Sequence, residues 1–476
     1  LEKAKPSITV QWHLTTNCNN RCLHCYMYDE KTFNDERNNT LSDQGLLKVF
    51  ESILAFEKKW GFNVSGFAFS GGDPLLRKNW FELLSEIKAH GKKISIMGNP
   101  ETLTDDNLLK LKKLGLRKFQ MSLDGLEEMH DKFRSNGSFK RTVEAITKLE
   151  EAGIPSQIMF TLYPENRHEL FPLIDFLSCE TPLSYFYFDI GTSSGNANTL
   201  SKEFDKDEIR KILESYLIKK DKIKTSNQKI TIGEKSHLFS ILNSEQSGDD
   251  YRHYKTLPVI EGCLAGWFSV AVLSDGTVLS CRRLPIVAGK MPEQSFEEIF
   301  LGSDLLKKMR RREYFSGCGS CSLYQYCRGC PAYVYGITGN PFAKHPLCFK
   351  DENAETISAE QAFTDPPITT SYREEADFIS AVYRFTQKEF TDKLMKEYSF
   401  RALYLTLIEN RDQIDLFLQN KDLFLKNNSI SVSEIDLLFM QKYLLSLLNS
   451  GIFNKKENLN ILMGFVEKLK LYHLKN

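Results

Sequence analysis

Cys18, Cys22 and Cys25 lie in one short stretch, Cys18-Asn-Asn-Arg-Cys22-Leu-His-Cys25. Spacings of four and three residues let a single loop wrap one metal centre. Three thiolates are one too few for a closed tetrahedral zinc site. They suit a 4Fe–4S cluster, which normally takes four thiolates, with one iron left open for a ligand. A second set follows far downstream: Cys263, Cys281, Cys318, Cys321, Cys327, Cys330 and Cys348. Cys179 stands alone and reads as a buried bystander. Eleven cysteines is an odd number, and the chain of 476 residues opens on Leu1-Glu2-Lys3-Ala4-Lys5-Pro6 with no apolar export stretch. A disulfide framework prefers an even count in a small secreted domain. Clustered thiols here read as metal or redox sites, and the expected location is cytoplasmic.

The elements that must position these thiols are legible as a pattern. Ile8, Val10, Trp12 and Leu14 alternate as a strand that leads directly into the first thiol loop. Short apolar runs recur at Gly66–Ser70, Ile94–Met97, Phe119–Leu123, Ile158–Leu162 and Tyr185–Ile190. Helical patterns separate them: Leu46, Phe50, Ile53 and Leu54; Trp80, Leu83, Leu84 and Ile87; and Ser138 to Glu151, stopped by Gly153 and Pro155. Strands joined through single helices imply right-handed crossovers and a parallel sheet. About six units suit an α/β fold of the partial (β/α)6 barrel kind over residues 1–200, although the pattern also admits a doubly wound sheet. Residues 201–256 are polar with helical stretches and read as a bridge. Residues 257–350 are rich in Cys, Gly and Pro with little periodicity, so metal is expected to organise them. Residues 351–476 read as a helical region. Phe378, Ala381, Val382 and Phe385 form one stripe, and Ser431-Val432-Ser433-Glu434 has capping-box spacing ahead of Leu437–Leu448.

Composition excludes several function classes. Lys plus Arg is 62 and Asp plus Glu is 62, so no long-range field draws the chain to nucleic acid or anionic membrane. No apolar run reaches the roughly 18 residues of a membrane span. Neither nucleic acid nor membrane is an expected partner.

Two further motifs end strands. Phe67-Ala68-Phe69-Ser70-Gly71-Gly72-Asp73-Pro74 closes the second, and Ser122-Leu123-Asp124-Gly125 closes the fourth. Two adjacent glycines let backbone approach a ligand closely. A hydroxyl and a carboxylate at a strand end can hydrogen-bond a ribose or an amino acid. Arg134 offers a guanidinium that fits a carboxylate bidentately.

With these motifs in this order, the chain resembles the radical S-adenosylmethionine enzymes. Cys-x3-Cys-x2-Cys after the first strand is their signature, and Tyr26 supplies the aromatic next to the last cysteine. Gly71-Gly72-Asp73-Pro74 is similar to the family's Gly-Gly-Glu-Pro motif with Asp for Glu. The resemblance implies that Gly71, Gly72, Asp73, Ser122, Asp124 and Arg134 contact the cofactor. Asn166 is a weaker candidate, and His24 is expected to pack or hydrogen-bond. The downstream cysteines resemble the family's seven-cysteine SPASM extension, with two residues between Cys327 and Cys330 where three are usual. A zinc knuckle and a double zinc ribbon are the alternatives for the two sets.

The resemblance spans about residues 7–350. It implies three 4Fe–4S clusters: one on Cys18, Cys22 and Cys25 that binds S-adenosylmethionine, and two auxiliary ones. Cys318, Cys321, Cys327 and Cys348 would hold the outer cluster. Cys263, Cys281 and Cys330 would hold the inner one, leaving one iron without a protein thiolate. The implied chemistry is reductive cleavage of S-adenosylmethionine and hydrogen abstraction from an unactivated carbon, with an electron leaving through the auxiliary clusters. The implied partners are a Cys-containing precursor peptide and an electron donor such as flavodoxin or ferredoxin. The expected activity is oxidative peptide maturation that forms a thioether or other cross-link. Arg282 stands where family members that oxidise sulfatases carry an acidic residue, which argues against that alternative. Oxidation of a cofactor precursor is a further alternative, and a non-catalytic metal-binding or electron-transfer protein is one of another class.

Overall fold

The computed structural model describes residues 5–350 apart from 28–29, 201–203, 227, 248–261 and 325, then 368, 370–385 and the isolated positions 404, 407, 417 and 440. Seven strands run parallel: β1 Ser7–Thr15, β2 Asn63–Gly71, β3 Lys93–Met97, β4 Lys118–Ser122, β5 Ser156–Leu162, β6 Tyr185–Ile190 and β7 Thr231–Glu234. Helices cross between them: α1 Glu30–Asn38, α2 Asp43–Trp60, α3 Trp80–Ala89, α4 Asp105–Leu114, α5 Glu127–Phe133, α6 Ser138–Glu151, α7 Leu170–Glu180, α8 Lys206–Thr225 and then α9 Phe239–Ser247. This is the α/β partial barrel that the strand–helix alternation implies. β7 is a seventh strand inside the segment that reads as a polar bridge. It is only four residues long, so alternation had little chance to show there.

The patterned residues are the core. Ile8, Val10, Trp12 and Leu14 of β1 are fully buried. Trp80, Leu83, Leu84 and Ile87 line the inner face of α3. α2 begins where the Ser42 hydroxyl accepts from Gly45 N at 3.2 Å and stops at Gly61, which takes the left-handed conformation a side chain resists.

The cysteine-rich region carries more regular structure than its composition implies. β8 Ser269–Val272, β9 Thr277–Cys281 and β10 Leu284–Lys290 form an antiparallel meander, and β8 pairs parallel with β1. The result is one ten-stranded sheet, ordered β10-β9-β8-β1-β2-β3-β4-β5-β6-β7. Three short helices follow: α10 Phe296–Gly302, α11 Asp304–Met309 and α12 Pro331–Thr338. α13 Tyr372–Phe385 buries Phe378 and Val382, and its Glu375 meets Arg310 and Arg311 at 3.0 and 2.6 Å. The capping-box segment at Ser431–Glu434 lies outside the described residues. Among the described residues no helix is long and apolar enough to cross a membrane.

Candidate active site

β1 ends at Thr15, and the chain turns across the strand ends into the Cys18–Cys25 loop. Backbone straps hold that loop to the end of β2: Gly72 N donates to Thr15 O at 2.9 Å and Asp73 N to Asn17 O at 2.7 Å. The approach is too close for side chains. A Cβ on Gly71 would lie 2.2 Å from Thr15 O, and one on Gly72 would lie 2.0 Å from Asn17 O. Gly71 also takes φ +133. The glycines therefore serve loop closure as well as access to a ligand.

A cavity of about 350 Å³ opens above the strand ends. Its wall includes Cys18, Cys22, Cys25, Gly71, Gly72, Ser122 and Arg134 among the sequence-predicted residues. Asp73 and Asp124 do not line it. Asp73 is fully buried and accepts from Leu75 N, Asn99 N and Thr102 Oγ1 at 2.8–2.9 Å, while burial pushes its pKa up. Asn99 in turn donates to Cys18 Sγ at 3.3 Å. Asp124 is equally buried; it accepts from Arg134 Nε at 2.6 Å and Thr161 N at 3.1 Å. Burial opposes its charge, yet Arg134, His24 and His130 hold its carboxyl down to about 2. Arg134 also reaches Cys22 Sγ at 3.6 Å and His24 Nε2 at 3.3 Å. Both carboxylates thus hold groups that hold the thiol loop. Asn166 is buried too and donates to the backbone oxygens of Asp124 and Thr161. His24 packs against Phe133 and Tyr163.

The downstream thiols reach the same cavity at one point, Cys281, with Arg282 and Arg283 beside it. Their mutual influence divides them in two. Cys330 responds to Cys263 and Cys281, whereas Cys327, three residues earlier, responds to Cys318, Cys348 and Cys321. Cys318, Cys321, Cys327 and Cys348 surround a separate cavity of about 30 Å³. Cys179 is exposed near the end of α7, not the buried bystander its surroundings in the sequence imply: α7 turns its apolar face, Leu170, Leu173, Ile174 and Leu177, inward and leaves Cys179 outside.

The residues fit iron–sulfur groups. Every cysteine is free of disulfides. Burial pushes the Cys25 thiol up to about 11 and Cys330 to about 12, so these are inert thiols unless a metal takes the proton's place. Amide donors already face sulfur: Asn20 N to Cys18 at 3.4 Å, Leu323 N to Cys321 at 3.4 Å and Gly329 N to Cys327 at 3.3 Å. Among the described residues no group of three or more His, Cys, Asp or Glu side chains closes around a single ion. A four-iron cluster spreads its thiolates over separate irons and needs no such point.

Comparison with known proteins decides the family. Residues 12–177 match the model of the radical SAM superfamily, and residues 263–331 match that of the SPASM iron–sulfur cluster-binding domain. The chain carries a radical SAM domain and a SPASM domain. It uses S-adenosylmethionine and iron–sulfur clusters. It is 28% identical to the AdoMet-dependent heme synthase of Methanosarcina barkeri, over 71% of this chain and 95% of that protein. It is 25% identical to the sporulation killing factor maturation protein SkfB of Bacillus subtilis, over 63% of this chain and 66% of that protein. In fold it is similar to Streptococcus suis SuiB bound to the precursor peptide SuiA, with TM-score 0.57 and 17% identity over 73% of this chain and 76% of that one.

Several cavity residues escape sequence reasoning, three of them polar or charged groups on or beside strands. Gln120 lies on β4, Asp189 on β6, and Lys235 just beyond β7. Asp189 pairs with Arg283 at 2.7 Å, and Lys235 Nζ lies 3.9 Å from Met159 Sδ. Lys235 is open to the cavity but enclosed by protein on its other sides, and this enclosure lowers its pKa. No motif marks it; only knowing that β7 exists places it at the mouth.

Proposed function

We propose that this radical SAM enzyme matures a ribosomally made, Cys-containing precursor peptide by an oxidative cross-link, a thioether. Cys18, Cys22 and Cys25 hold the cluster that binds S-adenosylmethionine. Cys318, Cys321, Cys327 and Cys348 hold the outer auxiliary cluster, and Cys263, Cys281 and Cys330 hold the inner one. The bound groups supply hydrogen abstraction from an unactivated carbon and an exit for the electron the substrate sheds. Gly71, Gly72 and Ser122 present backbone and hydroxyl to the cofactor. Asp73, acting through Asn99, and Asp124, acting through Arg134, keep the thiol loop in place.

The observation that carries the peptide reading is the inner thiol set. It has three members, not four, and Cys281 faces the cavity that the first thiol loop also lines. A substrate thiolate is the natural fourth ligand. A second cavity of about 450 Å³ continues past Arg282 and Arg283 along Pro285 and Val287. Such a run suits an extended chain that enters from one end. The likeness to the maturation protein SkfB supports this reading.

A tetrapyrrole substrate is the second reading, favoured by the heme synthase that matches over 95% of its own length. One anaerobic experiment separates the two. The enzyme is incubated with dithionite and S-adenosylmethionine, with either a Cys-containing peptide encoded beside it or an iron coproporphyrin. Loss of two hydrogens from the peptide, with matching 5′-deoxyadenosine, supports the proposal. Turnover of the tetrapyrrole alone overturns it. A reduced flavodoxin or ferredoxin is the expected replacement for dithionite.

A further inference from the structure

Arg328 stands between Cys327 and Cys330, and so between one thiol of the outer set and one of the inner set. Its backbone takes φ +54, a conformation that a residue with a side chain adopts at a cost. The side chain is 4% exposed. Its Nε and Nη2 meet no hydrogen-bond partner among the described residues. Its guanidinium carbon lies 5.9 Å from the Trp267 ring, and the side chain walls the small cavity shared with Cys318, Cys321, Cys327 and Cys348. The inner set is close as well: Cys330 follows Arg328 by two residues, and Trp267 follows Cys263 by four.

Other buried arginines each meet a carboxylate. Arg283 has Asp189 at 2.7 Å, and Arg310 and Arg311 share Glu375. Arg328 has no carboxylate at ion-pair distance among the described residues. A buried cation without a counter-charge is strongly unfavourable. That cost and the backbone strain fall together on one residue, wedged between two sets of thiols. A thiolate-ligated cluster carries net negative charge, and its potential follows local charge and hydrogen bonds to sulfur.

We infer that Arg328 is the shared counter-charge of the two auxiliary clusters and poises their reduction potentials. This rests on the cluster assignment proposed above. A cation at that place favours the reduced, more negative state of each cluster. It therefore makes the auxiliary pair a better acceptor of the electron that an oxidised substrate must shed. The free N–H groups at Nε and Nη2 are the donors available to cluster sulfur.

The test is a redox titration of the anaerobically reconstituted full chain, followed by paramagnetic resonance, with iron and sulfide analysed in parallel. Arg328→Gly is the decisive variant, because φ +54 suits glycine and the backbone is relieved by the change. The expected result is unchanged iron and lower auxiliary potentials. At fixed poise, the reduced-to-oxidised ratio should fall about tenfold, equivalent to about 59 mV for one electron. Arg328→Lys should retain most of the wild-type potential, and the cluster on Cys18, Cys22 and Cys25 should not move. Unchanged auxiliary potentials in Arg328→Gly overturn the inference. So does an equal fall in the Lys and Gly variants, or loss of iron from Arg328→Gly. Zinc in place of iron in the wild type would instead defeat the cluster assignment itself.

Discussion

Replacing Glu36 by Gln tests how the two halves of the site are joined. Glu36 on α1 is buried, and its Oε1 lies 3.2 Å from His13 Nδ1 on β1. The same oxygen accepts from Ser274 N at 3.1 Å and Ser274 Oγ at 3.0 Å. Arg282 donates through Nε to His13 Nε2 and brings Nη2 to 3.9 Å from Glu36 Oε2. Its guanidinium carbon also lies 5.1 Å from the Tyr26 ring, beside Cys25. His13 is thus neutral with its proton on Nδ1, and burial together with Arg282 pushes its pKa down to about 4. For Glu36 burial works the other way, but His13, Arg282 and Ser274 still hold the carboxyl at about 2. A displacement of that size is worth about 3 kcal/mol. Leaving a buried cation without its partner costs about 3–5 kcal/mol by an independent route. The folded value lies below the unfolded one, so this stability is complete above pH 4.5 and lost as pH falls toward 2. Anaerobic urea unfolding of Glu36→Gln, Arg282→Met and the double variant should show each single change costing about 3 kcal/mol and a coupling of about 2 kcal/mol. Additive effects, or a cost under about 1 kcal/mol for Glu36→Gln, would refute the reasoning.

Other perturbations give separate readouts. Gly72→Ala places a methyl 2.0 Å from Asn17 O, so the thiol loop must shift; weakened S-adenosylmethionine binding by calorimetry and lower iron content are expected. Asp124→Asn removes the anion that faces Arg134 and should cost about 3 kcal/mol in thermal or urea unfolding, with 5′-deoxyadenosine formation falling alongside. Glu375→Gln leaves Arg310 and Arg311 buried against each other, so unfolding should become easier by a similar about 3 kcal/mol while the spectrum of the first cluster stays as it was. His13 and His130 both titrate near 4 when folded, below the ordinary 6.5, so the unfolded chain takes up protons first and stability should drop between pH 6.5 and 4. A flat unfolding profile across that range would exclude them as the acid-sensitive groups.

What the sequence makes legible depends on how locally each feature is encoded. β1 to β6 announce themselves because alternate residues such as Ile8, Val10, Trp12 and Leu14 each need the core. The first thiol loop is legible for the same reason, since three ligands fall within eight residues. β8 and β9 left a trace in Asp275-Gly276, a turn dipeptide with Ser269–Val272 before it and Thr277–Cys281 after it, which a reading fixed on the cysteines passes over. The true direction of Asp73 and Asp124 is not legible. Both stand in motifs at strand ends, yet their partners come from Asn99, Thr102, Arg134 and Thr161, which only the fold brings near. Lys235 and Asp189 are hidden likewise, because a cavity wall drawn from separate strands has no spacing of its own.

The pairing of β8 with β1 has a consequence for how the two thiol sets face each other. Thr9, Val10, Gln11 and Trp12 of β1 register with Ser269, Val270, Ala271 and Val272 of β8. The chain after β1 becomes the first thiol loop, and β8 turns at Gly276 into β9, which ends on Cys281. Cys281, the downstream thiol that faces the cavity, therefore hangs from the same sheet as the first thiol loop, with β8 lying between β9 and β1. Hydrogen bonds between strands fix that placement to a fraction of a residue, because a slip by one position would turn the buried Val10 and Trp12 outward. The Arg282–His13–Glu36 contact then closes the same gap from the side, by joining the residue after Cys281 to β1 itself. The electron route proposed above gains from this, since the span between the first thiol loop and Cys281 is built into one sheet.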